Sequence, residues 1–267
     1  MNKLLRANFA RLFKNKLFYI CVIFIFAAAV LSVFDQSKYT EVLDSMLFSG
    51  IAVVSVVSAV FISIFTGTEY SGGTMRNKLY TGHSRAAVYG AGLLTCAAAA
   101  LIMHTVLIAA VVCFGIPIIG GTTFTAREII LLLLLSILTV TAYASVYILL
   151  GMLITSKAAG AVAAIILSFG LMFTADKLEN CINAPEYGYF DVEYGQYFEG
   201  VPNPEYPSET EKKVMQAALN ILPSGQALQL SYGIFPENAA ELPIYAIFDI
   251  TATTAVGVLI FKRKDIK

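Results

Sequence analysis

Six stretches of this chain are apolar over roughly the 20 residues that a helix needs to cross a bilayer core of about 30 Å. They fall at about 17–34, 48–67, 87–115, 128–151, 158–175 and 242–261. A soluble domain of 267 residues would have to bury all six, yet the chain is 58% hydrophobic and only 13% charged, where soluble domains carry about 25% charged residues. The expected fold class is therefore an all-α integral membrane protein with six transmembrane helices, since a lone helix satisfies its own backbone in lipid. Cys21, Cys96, Cys113 and Cys181 show no CxxC spacing, so neither a disulfide framework nor a zinc site is expected. Eighteen basic and eighteen acidic side chains cancel, and a nucleic-acid partner gains no support from the total charge.

The distribution of charge is more informative than its sum. Thirteen of the 18 basic residues lie in residues 1–16, 68–86, 152–157 and 262–267, all on one side of a six-span topology, and 15 of the 18 acids lie on the other. Basic residues are retained on the cytoplasmic side. The expectation is a multi-pass protein of the cell (plasma) membrane with both termini cytoplasmic. Residues 1–16 lack a signal-peptide cleavage pattern and read as an amphipathic interfacial helix. Leu5, Phe9, Leu12, Phe13 and Leu17 form its apolar side, and Lys3, Arg6, Arg11 and Lys14 face anionic lipid.

The domain plan follows. Residues 17–175 hold helices 1 to 5, with a cytoplasmic loop at 68–86, and 176–241 form an extracytoplasmic segment. Residues 242–267 form helix 6 and a basic tail. Within 176–241 the aromatic-rich half from Pro185 to Pro207 suits a bilayer surface or a hairpin. Ser208 and Glu211 form a capping box for a helix running to about Leu222. Pro223 and Gly225 are expected to interrupt it, and Ala217 to Ser231 is apolar enough to dip into the outer leaflet.

No GxxxxGK[ST], GxGxxG, HExxH or GxSxG motif occurs, so the chain is not expected to be an enzyme by itself. The loop carries the sharpest signal. Gly72 and Gly73 break the incoming helix, and Thr74 is placed to cap a short helix to about Leu79. Met75, Leu79 and Tyr80 are expected to be its exposed apolar knob, rimmed by Arg76, Lys78 and Arg85.

Glu69-Tyr70 at the end of the second span, Gly73-Thr74-x-Arg76, Leu79, and Ser84-Arg85 opening the third span resemble the cytoplasmic loop of permease subunits of type 2 ATP-binding-cassette (ABC-2) exporters. The six-span plan, the basic N-terminal helix and Leu222-Pro223-Ser224-Gly225-Gln226-Ala227-Leu228 before the last span are similar to that family. The resemblance implies that Glu69, Tyr70, Gly73, Thr74, Met75, Arg76, Leu79 and Arg85 couple the chain to a separate ABC ATPase subunit. It also implies a second permease copy or paralogue as partner and no cofactor of the chain's own, ATP being bound by the partner. The exported substrate would be a peptide, a lipid-like molecule or a drug.

Two ionisable residues lie within spans, His104 and Asp249. Such groups are functional candidates by default, and their similar depth suggests a pair. They also motivate an ion-coupled carrier as an alternative. A membrane immunity or sensor module binding an outer peptide through 176–241 is another. The topology is directly testable: a cysteine at Ser208 should react with an impermeant thiol reagent on sealed cells, and one at Asn77 should not. Labelling of Asn77 would invert the arrangement.

Overall fold

The computed structural model describes residues 1–191 and 196–264 of the chain. Six of its helices are long and apolar enough to cross a membrane. The chain opens with α1 (Asn2–Phe13), and Asn15, whose side chain accepts from the Leu17 amide, starts α2 (Lys16–Gln36). A short α3 (Met46–Ser49) leads into α4 (Ile51–Ser71), and α5 (Thr74–Tyr80) follows. The remaining spans are α6 (Arg85–Ile118), α7 (Ala126–Leu153), α8 (Lys157–Ile182) and α11 (Leu242–Arg263).

Local capping sets where these helices begin. Ser84 and Ser156 accept from the amides of Ala87 and Ala159 to start α6 and α8. Thr125 and Glu128 form a reciprocal capping box at the start of α7. The fifth span overruns its expected end at 175, because the helix continues to Ile182 with Asn180 and Asn183 bonded to Asp176 and Glu179 one turn earlier. Polar i,i+4 pairs extend a helix beyond its apolar stretch.

Helix α4 is the centre of the packing, touching α2, α6, α7 and α8. Its buried face holds Ile51, Val54, Ala59, Phe61, Ile62 and Phe65. By contrast α2, α8 and α11 leave large apolar side chains outside, among them Ile20, Ile23, Leu31, Ile166, Phe173, Ile244 and Phe248. Apolar exposure on three helices far exceeds what a water-soluble surface tolerates, and it is what a hydrocarbon environment requires.

One end of the bundle gathers α1, α5, and the ends of α7 and α11. The opposite end gathers the 37–45 and 119–125 connections and the long segment before α11. There Asp44, buried, accepts from the hydroxyls of Thr122 and Thr123 and from the Thr123 amide at 3.0 Å, clasping the two connections together.

The long segment holds an antiparallel hairpin of β1 (Tyr187–Asp191) and β2 (Gln196–Pro202), in which Tyr189 faces Phe198 with stacked rings. The capping box of Ser208 and Glu211 starts α9 (Glu209–Ile221) as expected. The break after α9 differs from the expectation. Leu222 alone is extended, Pro223 occupies the first turn of a new helix α10 (Pro223–Ser231), and Gly225 lies inside that helix. Proline fits a first turn because its missing N–H would have had no partner there. Helix α10 is buried against α3, α7, α8 and α9. Its polar atoms are satisfied by neighbours: Gln226 donates to the Asn220 carbonyl and accepts from Thr139, while Gln229 and Asn238 both donate to the Asn220 side chain.

Gly225 permits the tight fold-back. A Cβ there would lie 2.0 Å from the Leu219 carbonyl oxygen, whereas one at Gly170 on α8 meets nothing within 4 Å. Gly225→Ala should therefore lower the melting temperature in detergent, by the equivalent of about 1–3 kcal/mol. Gly170→Ala should leave it unchanged or raise it slightly. Equal melting of the two variants would contradict the fold-back.

Candidate functional site

The site lies at the end of the bundle where α4 turns into α5. Gly73 sits at φ +67°, in the left-handed region, with open space around its Cα, so backbone conformation rather than crowding calls for glycine. The chain then re-enters a helix whose first residue is Thr74. No side chain caps it; the expectation that Thr74 would do so fails because the residue preceding the helix is Gly73.

Glu69, in the last turn of α4, is 3% exposed. Its Oε1 is 2.5 Å from Arg11 of α1 and also accepts from Lys78 of α5, whose ammonium donates to the Asn8 side chain at 2.8 Å. The Arg11 guanidinium additionally stacks 3.8 Å over the Phe65 ring. One carboxylate thus joins three helices. Burial pulls the pKa values of Arg11 and Lys78 down, and the facing Glu69 carboxylate opposes that fall. Taking such charges out of water is costly unless they are paired, so the cluster holds only if all its members remain in place.

A second set of contacts ties the same end together. Tyr70 donates to the Met152 carbonyl at 2.7 Å. Lys264 donates to the Met152 and Leu153 carbonyls at 2.7 and 2.9 Å, at the end of α7, where a cation meets the negative pole of a helix. Arg85 donates to the Phe261 and Lys264 carbonyls.

The structure redistributes the roles expected for the loop. Met75 is fully buried and belongs to the core, and Leu79 is half-buried against it, so neither is a free apolar knob. Their side of α5 turns inward because Lys78 of the same helix is drawn to Glu69. Lys78 and Arg85 are likewise anchors rather than rim charges. What α5 presents outward is Arg76, Asn77 and Tyr80, the last 80% exposed. The α1 face is also rotated from the expected one. Leu4, Asn8 and Leu12 point inward and Phe13 is half exposed, because Asn8 and Arg11 must reach α5 and α4. Asn8 and Lys264 are not singled out by the sequence, while Arg11 and Lys78 are expected there as a lipid-facing and a rim charge, not as partners of Glu69. Asn8 had a visible signal, a lone amide between Leu4 and Leu12 at spacings of four.

His104 and Asp249 do not pair. His104 Nε2 is 2.9 Å from the Ser136 hydroxyl across α6 and α7, and among the described residues neither its Nδ1 nor the Asp249 Oδ2 has a hydrogen-bond partner. Equal depth did not bring them together because each helix's rotation is set by packing. No protein-family model matches the chain, and no curated protein matches it. The functional reading therefore rests on the residues above.

With Met75 in the core, Met75→Asp should damage the fold itself, costing at least about 3 kcal/mol from lost burial and an unpaired charge. Tyr80→Asp should not. Size-exclusion profiles of the solubilised variants check this, and a monodisperse Met75→Asp protein melting like the wild type would contradict the packing.

Proposed function

We propose that the chain is the membrane-spanning subunit of an ATP-driven exporter of the ABC-2 type, with both termini cytoplasmic. It pairs with a second permease and docks a separate ATPase through α5. The observation that carries the reading is the way α5 is mounted. A seven-residue helix too short to be stable alone is bolted through Lys78 and Glu69 to both the central span α4 and the N-terminal helix α1. Its outer face offers Arg76 and an almost fully exposed Tyr80.

Such a mount suits force transmission. A push on Tyr80 is delivered to α4, which packs against four other spans, and through Arg11 to α1. The α4 helix would tilt against α2, α6, α7 and α8, and α10 rests on the middle of α7 and α8, at Thr139 and Leu171. The family-like Glu69-Tyr70 and Gly73-Thr74-x-Arg76 residues support the same assignment. ATP binding and hydrolysis would take place in the partner, and the substrate would leave along the interface of the two permeases.

The test is isolation of a tagged chain from native membranes, with bound chains identified by mass spectrometry. A nucleotide-binding subunit should be recovered in comparable amount. Tyr80→Asp should weaken its retention by about thirtyfold or more, the scale of one aromatic anchor lost from an interface, with Asn77→Ala near neutral. Recovery of the folded chain without any ATPase, or undiminished retention by Tyr80→Asp, would defeat the proposal.

A further inference from the structure

The segment before α11 closes a polar cavity of about 550 Å³ at the end of the bundle opposite α5, within the range of about 300–1,000 Å³ that ligand sites occupy. Its walls come from the end of α8, from α9 and α10, and from the connection 232–238. Glu179 and Glu237 line it, and no lysine or arginine does among the described residues. Neither carboxylate has a cationic partner among those residues.

The orientation of the amides decides the chemistry of this cavity. Asn220, 3% exposed, accepts at its single side-chain oxygen from Gln216 at 2.9 Å, Gln229 at 3.1 Å and Asn238 at 2.9 Å. Gln229 gives its other N–H to the Gly225 carbonyl, and Asn238 gives its other one to the Gln229 side chain. Asn183 donates to Glu179 at 2.9 Å. The donors are thus drawn into the protein, and oxygen is what remains for the cavity. Neither Gln216 Oε1 nor Asn238 Oδ1 has a donor among the described residues, and neither is sealed from solvent. The potential of the site is negative as well. Burial and the charges of Glu179 and Asp176 push the Tyr232 phenol in its wall up to about 12.

We propose that this cavity binds an organic cation, a guanidinium group on an apolar stem. A guanidinium carries five donors and no acceptor, which complements a wall whose open polar atoms are amide oxygens and carboxylates, and its bonds to the carboxylates are charge-assisted. Tyr232 and Phe235 supply aromatic surface beside it, on which such a planar cation stacks. A bare metal ion fits the site poorly, because the space is far larger than an ion and no three acidic, histidine or cysteine residues gather as ligands among the described residues. The site stands whether or not α5 docks an ATPase.

The experiment titrates the full chain, in an uncharged detergent, with Nα-acetyl-arginine methylamide and with its citrulline analogue, which carries a neutral urea in place of the guanidinium. Calorimetry should show saturable binding of the arginine probe, at least about tenfold tighter than the citrulline one. Glu179→Gln and Glu237→Gln should each weaken it about two- to fivefold, and the double variant about tenfold. Glu186 is exposed and lies outside the cavity wall, so Glu186→Gln should leave the affinity unchanged. Glu237 is exposed and unpaired, so its substitution reports on binding rather than folding, and an unchanged melting temperature verifies this. Failure to saturate, equal affinity for the two probes, or equal losses from Glu186→Gln and Glu237→Gln would overturn the proposal. So would Glu237-dependent calcium binding tighter than that of the arginine probe, which would assign the oxygens to a metal ion.

Discussion

A carboxylate buried to 3% exposure at the end of a membrane helix must be paired with positive charge, and Glu69 finds two cations, from opposite directions in sequence. Arg11 is supplied by the helix that precedes the first span and Lys78 by the short helix that follows the second. The requirement that this one group be paired fixes the docking of α1, the roll of α5 and the burial of Met75. Without it, α1 would be free to lie wherever its apolar side met lipid, and α5 would have no reason to turn Tyr80 outward. Lys264 and Arg85 serve the same end of the bundle in another way, by satisfying helix-end carbonyls that would otherwise have no partner.

The opposite end meets the constraint of buried polarity with neutral groups. The break between α9 and α10 frees backbone atoms inside the protein, and such irregular backbone at membrane depth survives only where other groups satisfy it. Asn220, Gln226, Gln229 and Asn238 provide them, with Thr139 from α7. A fully connected amide network specifies one geometry, since removing any member leaves its partners unsatisfied.

Much of this architecture was legible beforehand because it follows from strong, local signals. Six apolar runs correspond to six long helices, Ser208 and Glu211 to a capped α9, and the aromatic stretch after Pro185 takes the hairpin form, one of the two that its composition left open. What escaped depended on rotation about helix axes. In a seven-residue helix such as α5, apolar periodicity cannot tell which of Met75, Leu79 and Tyr80 faces inward; the answer lay in a contact with Glu69, nine residues before Lys78. The His104 and Asp249 pairing failed for the same reason, since depth along a span says nothing about azimuth. The α10 helix was hidden by Pro223 and Gly225, which read as breakers although proline belongs in a first turn and glycine was needed for the close approach to Leu219.

The central claim is that charge compensation at Glu69 holds α1, α4 and α5 as one unit. Thermal unfolding in detergent tests it by comparing Glu69→Gln with a triple variant, Arg11→Met, Glu69→Leu and Lys78→Met. Leaving two part-buried cations without their carboxylate should cost up to about 3–5 kcal/mol, whereas replacing a whole buried charge cluster with apolar groups is often close to neutral. The account predicts that the single substitution melts well below the triple. A Glu69→Gln protein as stable as the wild type, or a triple variant less stable than the single one, would contradict it.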